Sequence, residues 1–267
     1  MIKMIAIDLD GTLLDDNKQF NQAQFTYLAE KLIEQNIKVV IATGNQFIQS
    51  IQYFNKLSEK LIYITDNGST IHFGTQPYYS QTLSSSEYQQ FVNKLPLEVQ
   101  KNIVVSTEKK ALIVKKPTAE FLAALEYHYP KIEEVTNLSM VQEAVIKLTV
   151  KLGDTSKNLL QPIYSALPNN WKVTQSGFGY YDLIPKGVSK LTGIQELQRL
   201  WGIAKEELIA FGDSNNDIEL LTYVPHSYAM GNANDAVKQV AKYTVGTNNE
   251  NTVIETLEKV FDLVSVG

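Results

Sequence analysis

Three short apolar runs, each ending in a cluster of polar loop residues, constrain the fold of this chain more than any other feature. Residues 4–8 run into Asp10-Gly11-Thr12, residues 37–42 into Thr43-Gly44, and residues 61–65 into Asp66-Asn67-Gly68. Continuous apolar runs of this length, without alternation, read as strands covered on both faces. Between them, residues 21–35 place Phe25, Leu28, Leu32 and Ile33 at helical spacing, and residues 47–57 resume that period. Strands alternating with helices imply βαβ units and a parallel sheet. In such sheets ligands bind beyond the carboxyl ends of the strands, which is where these polar clusters fall.

The same grammar returns near the C-terminus. Residues 208–211 lead into Gly212-Asp213-Ser214-Asn215-Asn216-Asp217, residues 227–230 into Gly231-Asn232-Ala233, and residues 243–245 into Gly246; a helix over 250–264 closes the chain. The texture changes between the halves. Residues 103–106, 111–115 and 146–151 mix polarity as half-exposed strands do, with helical stretches around them. The expected fold is therefore α/β: a core of residues 1–81 and 187–267 around a central parallel sheet, with an inserted α+β domain over 82–186.

Composition removes several chemistries. The chain has 267 residues, no cysteine and three histidines, His72, His128 and His226, in unrelated contexts. There is no thiolate nucleophile, no disulfide and no cysteine-ligated zinc, and a histidine-rich metal site has no support. A formal charge of −5 argues against a nucleic-acid partner. It does not exclude a small anionic substrate, which meets the local field rather than the net charge. No apolar run approaches the ~20 residues that span a bilayer, and the apolar start is too short for a secretory leader. No membrane is expected, and the expected location is cytoplasmic.

The strongest chemical signal is Asp8-Leu9-Asp10-Gly11-Thr12 after a buried strand. Two carboxylates at a strand end, with a glycine turn behind them, make an oxygen-rich site for a hard cation such as Mg2+. One of them can also attack an electrophile while the other moves protons. The plain alternative is an Asx turn at Asp10. The second signal, Gly212 to Asp217, can be a helix cap or an acidic loop completing that site. A calcium loop is excluded, because Ile218 and Val224 stand where that motif needs Gly and Glu. Thr43-Gly44 could receive a phosphate at a helix start. Lys190 also sits near a helix start, where a cation opposes the macrodipole, which hints at an anionic partner.

Taken in order, Asp-x-Asp, Thr-Gly, Lys and Gly-Asp-x-x-Asn-Asp resemble the haloacid dehalogenase-like hydrolase superfamily over most of the chain. The insertion between the Thr and Lys motifs looks like the type IIB cap of the Cof-like phosphatases. Thr43-Gly44-Asn45-Gln46 and the stretch from Thr174 to Ile184 are similar to the bacterial sugar-phosphatase branch. The resemblance implies a Rossmann-like three-layer core and a Mg2+-dependent phosphatase of small phosphate esters, most simply sugar phosphates. It implies Asp8 as nucleophile, Asp10 as general acid and base, and Thr43 and Lys190 on the transferring oxygens. The metal would be held by Asp8, the backbone carbonyl of Asp10, and Asp213, with Asn216 and Asp217 supporting that shell. Gly44, Asn45, Asn67, Lys190 and Asn216 are the implied substrate-binding residues, and the protein is expected as a monomer or weak homo-oligomer. Asn45 replaces an arginine common in the Cof-like pattern, which removes a cation from the substrate entrance. Tyr127, Tyr129, Phe178, Tyr180 and Tyr181 in the inserted domain suit either a sugar face or, more simply, the core. A sugar phosphomutase of the same superfamily and a non-catalytic phosphate sensor are the alternative functions.

Overall fold

The computed structural model describes residues 1–115, 117, 119–126, 129–151, 160–177 and 179–263. Tyr127, His128 and Phe178, singled out in the sequence or its histidine count, lie outside those residues. The chain begins with β1 (Met4–Ile7), α1 (Gln22–Glu34), β2 (Lys38–Ala42), α2 (Phe47–Ser50) and β3 (Ile62–Thr65), then turns back in a hairpin of β4 (Thr70–Phe73) and β5 (Gln76–Ser80). A second unit follows: α3 (Ser85–Lys94), α4 (Leu97–Gln100), β6 (Ile103–Thr107), β7 (Ala111–Val114), α5 (Ala119–Glu126), β8 (Ile132–Val135), β9 (Val145–Lys151), α6 (Leu160–Ala166), β10 (Trp171–Gly177) and β11 (Tyr180–Pro185). The chain returns to the first sheet through α7 (Lys190–Trp201), β12 (Leu208–Gly212), α8 (Ile218–Tyr223), β13 (His226–Ala229), α9 (Asp235–Val240), β14 (Tyr243–Thr244) and α10 (Thr252–Val260).

The first sheet has the order β14-β13-β12-β1-β2-β3-β4-β5, and β1 pairs in parallel with both β12 and β2. Successive strands move away from β1 in one direction early in the chain and in the other direction late. The crevice that such a reversal opens lies beyond the end of β1, directly above Asp8. The strand itself is buried on both faces, as its unbroken apolar run predicts. Helix α1 buries Phe25, Leu28, Ala29 and Leu32 on one stripe, and its N-cap Asn21 accepts a hydrogen bond from the Gln24 amide. Each fully buried Leu, Ile or Phe of this kind contributes about 1.5–3 kcal/mol.

The second sheet, β10-β11-β9-β6-β7-β8, corrects one expectation. β6, β7 and β9 are buried almost throughout rather than half exposed. One face packs on Tyr88, Phe91 and Ile163, and part of the other on Phe121, Leu125 and Tyr129. The polar residues that suggested exposure, Lys147 and Thr149 among them, are buried against polar partners. Three smaller differences concern the first sheet. It is parallel from β14 to β3, but β4 and β5 extend it antiparallel. The helix read over 47–57 is one α-turn followed by two 3-10 turns, with Asn55 at positive φ. The closing helix spans Thr252–Val260: Asn251 takes a left-handed conformation before it, and the expected end at Val264 lies outside the described residues.

Candidate active site

The loop ends of β1 and β12 meet because glycine lets them. Gly11 has φ +77, and a Cβ there would lie 2.5 Å from Oδ2 of Asp213. A Cβ on Gly212 would lie 2.5 Å from Cγ of Asp217. Larger residues at either position would force the carboxylates apart. Asp8, Asp213 and Asp217 consequently bring a carboxylate oxygen each to within 4.8 Å of one another. Lys190, the first residue of α7, reaches into this group and donates to Asp8 Oδ1 and Asp217 Oδ1, both at 2.6 Å. The anionic partner hinted at by its unfavourable place at a helix start is thus the protein's own carboxylates.

Three carboxylates face one ammonium, with Asp8, Asp217 and Lys190 buried and Asp213 partly so. Burial pushes the Asp8 carboxyl well above the ordinary range; Lys190 opposes the shift and Asp217 and Asp213 add to it. Asp213 is pushed up to about 6, first by burial and then by Asp217. Burial alone would lower Lys190, but Asp217 and Asp8 outweigh it and hold the ammonium charged. The surplus of negative charge is what a hard cation would neutralise.

Asp10 points elsewhere. Its Oδ1 accepts from Lys18 at 2.7 Å and its Oδ2 from the Asn45 side-chain amide. Thr43 is buried at the end of β2, and its hydroxyl accepts from the Asn45 amide at 3.1 Å. Asn216 donates to Asn67 Oδ1 at 2.8 Å, while its own Oδ1 is buried without a hydrogen-bond partner. Asp217 is fully held: its Oδ2 accepts from the amides of Asp213 and Ser214. A cavity of about 480 Å³ opens above these groups, and Asp8, Asp10, Thr43, Gly44, Asn45, Asp213 and Asn216 line it. Lys190 and Asn67 do not line it. Lys190 lies behind Asp8, and Asn67 is buried between Asn216 and Asp182.

The sequence matches the haloacid dehalogenase-like hydrolases over residues 5–257. The chain belongs to that family. It is 32% identical over 260 residues to 5-amino-6-(5-phospho-D-ribitylamino)uracil phosphatase YbjI of Escherichia coli K12, covering 97% of this chain and 96% of that protein. It is 28% identical to the phosphatase of the same description, YitU, of Bacillus subtilis 168, covering 97% and 98% of the two chains. The crystal structure of SMU.1108c from Streptococcus mutans UA159 superimposes with a TM-score of 0.89 at 28% identity, covering 98% of this chain and all of that one. Within the family the chain is a hydrolase of the phosphatase kind.

Several residues of this hydrolase's cavity lie outside the four short motifs, although Tyr180 and Asp182 fall in the stretch from Thr174 to Ile184. Lys18 reaches Asp10 from a loop whose course no local pattern announces. Lys147, Thr149, Tyr129, Tyr180 and Asp182 line the wall contributed by the second unit. Lys147 gave no separate signal, because β9 also carries Thr149 and Lys151 and reads as half exposed, whereas Asp182 stands out as the charged residue of β11. Tyr129 and Tyr180 therefore face the cavity, whereas Tyr181 packs against the core of the second unit. No helix among the described residues is long and apolar enough to cross a membrane.

Proposed function

We propose that the chain is a Mg2+-dependent phosphatase of small phosphate monoesters whose leaving group is a polyol, working through an aspartyl-phosphate on Asp8. The gathering of Asp8, Asp213 and Asp217, with Asp8 and Asp213 lining the cavity and Lys190 behind them bonded to Asp8 and Asp217, carries this reading. The donor set fits the metal: all-oxygen, buried, and more anionic than its lysine can balance. Asp8 and Asp213 would hold the ion, with Asp217 and Asn216 supporting them. The carboxylate of Asp10 is committed to Lys18 and Asn45, so its part in the shell falls to its main-chain carbonyl. Bound there, Mg2+ supplies positive charge against the repulsion between a carboxylate and a phosphate dianion, about 1 kcal/mol per charge pair at 4 Å in water and several-fold more in a partly dry site.

The chain's own residues do the rest. Asp8 attacks phosphorus in line, and the alkoxide leaves with a proton from Asp10. Asp10 then takes a proton from the water that hydrolyses the aspartyl-phosphate. To donate a proton, Asp10 must give up one of the two hydrogen bonds it now accepts, from Lys18 or from Asn45. Thr43 and the backbone of Gly44 and Asn45 bind the transferring oxygens, and Lys190 stabilises the charge on Asp8. The second unit acts as a cap over residues 82–186, and its wall meets the leaving group.

Sugar phosphates are the reading the motifs favour. Tyr129 and Tyr180 in the wall, together with the two relatives named for a phosphorylated ribitylaminouracil, favour a second substrate: a sugar-alcohol phosphate carrying a flat ring. A kcat/KM screen with Mg2+ over hexose phosphates, 5-amino-6-(5-phospho-D-ribitylamino)uracil and p-nitrophenyl phosphate tests both. Release of free phosphate supports hydrolysis. An isomerised hexose phosphate would make the protein a mutase, and no turnover of any ester would make it a sensor.

A further inference from the structure

The second unit sends one cation across to the first. Lys147, at the centre of β9, is 3% exposed, and its Nζ donates to the carbonyl oxygen of Gly44 at 2.6 Å. Asp66 and Asp182 lie farther from it, at 3.4 and 3.7 Å. A lysine present only to neutralise carboxylates would sit closest to a carboxylate. This one is aimed at a main-chain oxygen of the Thr43–Asn45 turn, and the carboxylates keep it charged there: burial would lower it, but Asp182 and Asp66 outweigh that.

The turn it holds is close to the chemistry: Asn45 donates to Asp10, and Thr43 N is bonded to Ile64 O of β3 at 2.9 Å. It is tied to the loop after β3 by two main-chain bonds, Asp66 N to Asn45 O at 2.9 Å and Asn67 N to Thr43 O at 3.1 Å. On that loop Asp66 and Asn67 both take positive φ, 52° and 58°, a conformation needing outside contacts to persist. Asn216 of the first unit supplies one such contact, to Asn67, and the second unit supplies others. Besides Lys147 on Asp66, Asn67 donates to Asp182 at 3.0 Å. Gln46, just past the turn, donates to the Thr107 carbonyl at 3.3 Å.

We propose that Lys147 is a positioning residue for phosphoryl transfer: through the Gly44 carbonyl it sets the Thr43–Asn45 turn, so the phosphate-binding donors and the Asn45 contact to Asp10 are in place only when the two units are docked. The inference rests on the phosphatase reading for its catalytic consequence, but not for its structural one. Lys147 touches no reacting atom in this account. It acts through Gly44, Thr43 and Asn45.

Lys147→Met removes the ammonium and keeps the length of the side chain. The double variant Lys147→Met/Asp66→Asn guards against misfolding, since it leaves Asp182 as the one carboxylate, still bonded by Thr149 and Asn67. With p-nitrophenyl phosphate and Mg2+, both variants should lose about 30-fold or more in kcat with KM changed less than about threefold, the pattern of a displaced catalytic turn. In metal-free protein, hydrogen exchange at the amides of Asn45, Asp66 and Asn67 should quicken about tenfold or more, with Val40 and Ile64 in the strands beneath unchanged. Folded variants with kcat within about twofold of the parent and unchanged exchange at those three amides would overturn the proposal. If the parent itself hydrolyses no ester, the phosphatase reading fails, and the exchange measurement alone decides the role of Lys147.

Discussion

Two buried lysines anchor this molecule, and their surroundings differ in a way that separates chemistry from assembly. Lys190 sits inside the first unit, at 2.6 Å from two carboxylates, with Asp213 as a third acid beside them. Lys147 spans two units, at 3.4 and 3.7 Å from its two carboxylates and nearest to a carbonyl. Three acids to one base leave an excess of two negative charges, which a divalent cation matches. Two acids to one base leave an excess of one, which a single proton matches. Burying unbalanced charge is costly in either place, so each cluster should reveal itself by what relieves it.

The largest contrast should come from Asp8→Asn. It removes the nucleophile and should lower kcat by about 10⁴-fold or more. It also removes one of three crowded carboxylates, so the melting temperature in chelator should hold or rise. Appreciable turnover in that variant would sink the aspartyl-phosphate mechanism. Asp10→Asn comes next, with steady-state hydrolysis down about 10²- to 10⁴-fold as expected for a general acid and base; a parental rate would reassign that role. Third, Mg2+ should stabilise the protein itself as well as restore activity after chelation. At about 100 times its dissociation constant the gain is about 2.7 kcal/mol, a rise of about 5–10 °C for a chain of this size. Asp213→Asn should abolish that rise and Asp66→Asn should not. A rise that survives Asp213→Asn would move the metal out of the Lys190 cluster.

The Lys190 cluster was legible in the sequence because each member lies at a strand end or helix start within a few residues of a glycine. Asp8, Asp10, Asp213 and Asp217 all follow apolar strands, and the alternation of those strands with helices gave the parallel sheet that gathers them. The Lys147 cluster was not legible as a site. Its members come from β9, β11 and the loop after β3, 35 to 116 positions apart, and only tertiary packing joins them. A lysine within Val-Ile-Lys-Leu-Thr-Val reads locally as the exposed side of a strand, and that local reading is what made β9 look half exposed. Asn67 shows the same limit. Its place beyond β3 was legible, but its burial between Asn216 and Asp182 depends on a contact with the second unit.

The smallest expected effect tests the proton half of the comparison. Burial and the neighbouring Asp182, against the pull of Lys147, raise the Asp66 carboxyl from the ordinary value near 4 to about 6. A carboxylate raised on folding binds its proton more tightly in the folded state, so its contribution to stability is greatest at low pH. That contribution declines as pH climbs from about 4 through 6 and is flat above. Asp213 titrates in the same window by the same logic, and saturating Mg2+ takes it out of the measurement by keeping it ionised. With Mg2+ present, the parent should therefore lose melting temperature between pH 5 and pH 7.5, by a few degrees at most. Asp66→Asn should lose less over the same interval, since asparagine keeps the positive-φ backbone and leaves Lys147 facing one carboxylate. Equal slopes for parent and variant would mean that the excess charge beside Lys147 is relieved by some group other than Asp66, and the parallel between the two lysines would end there.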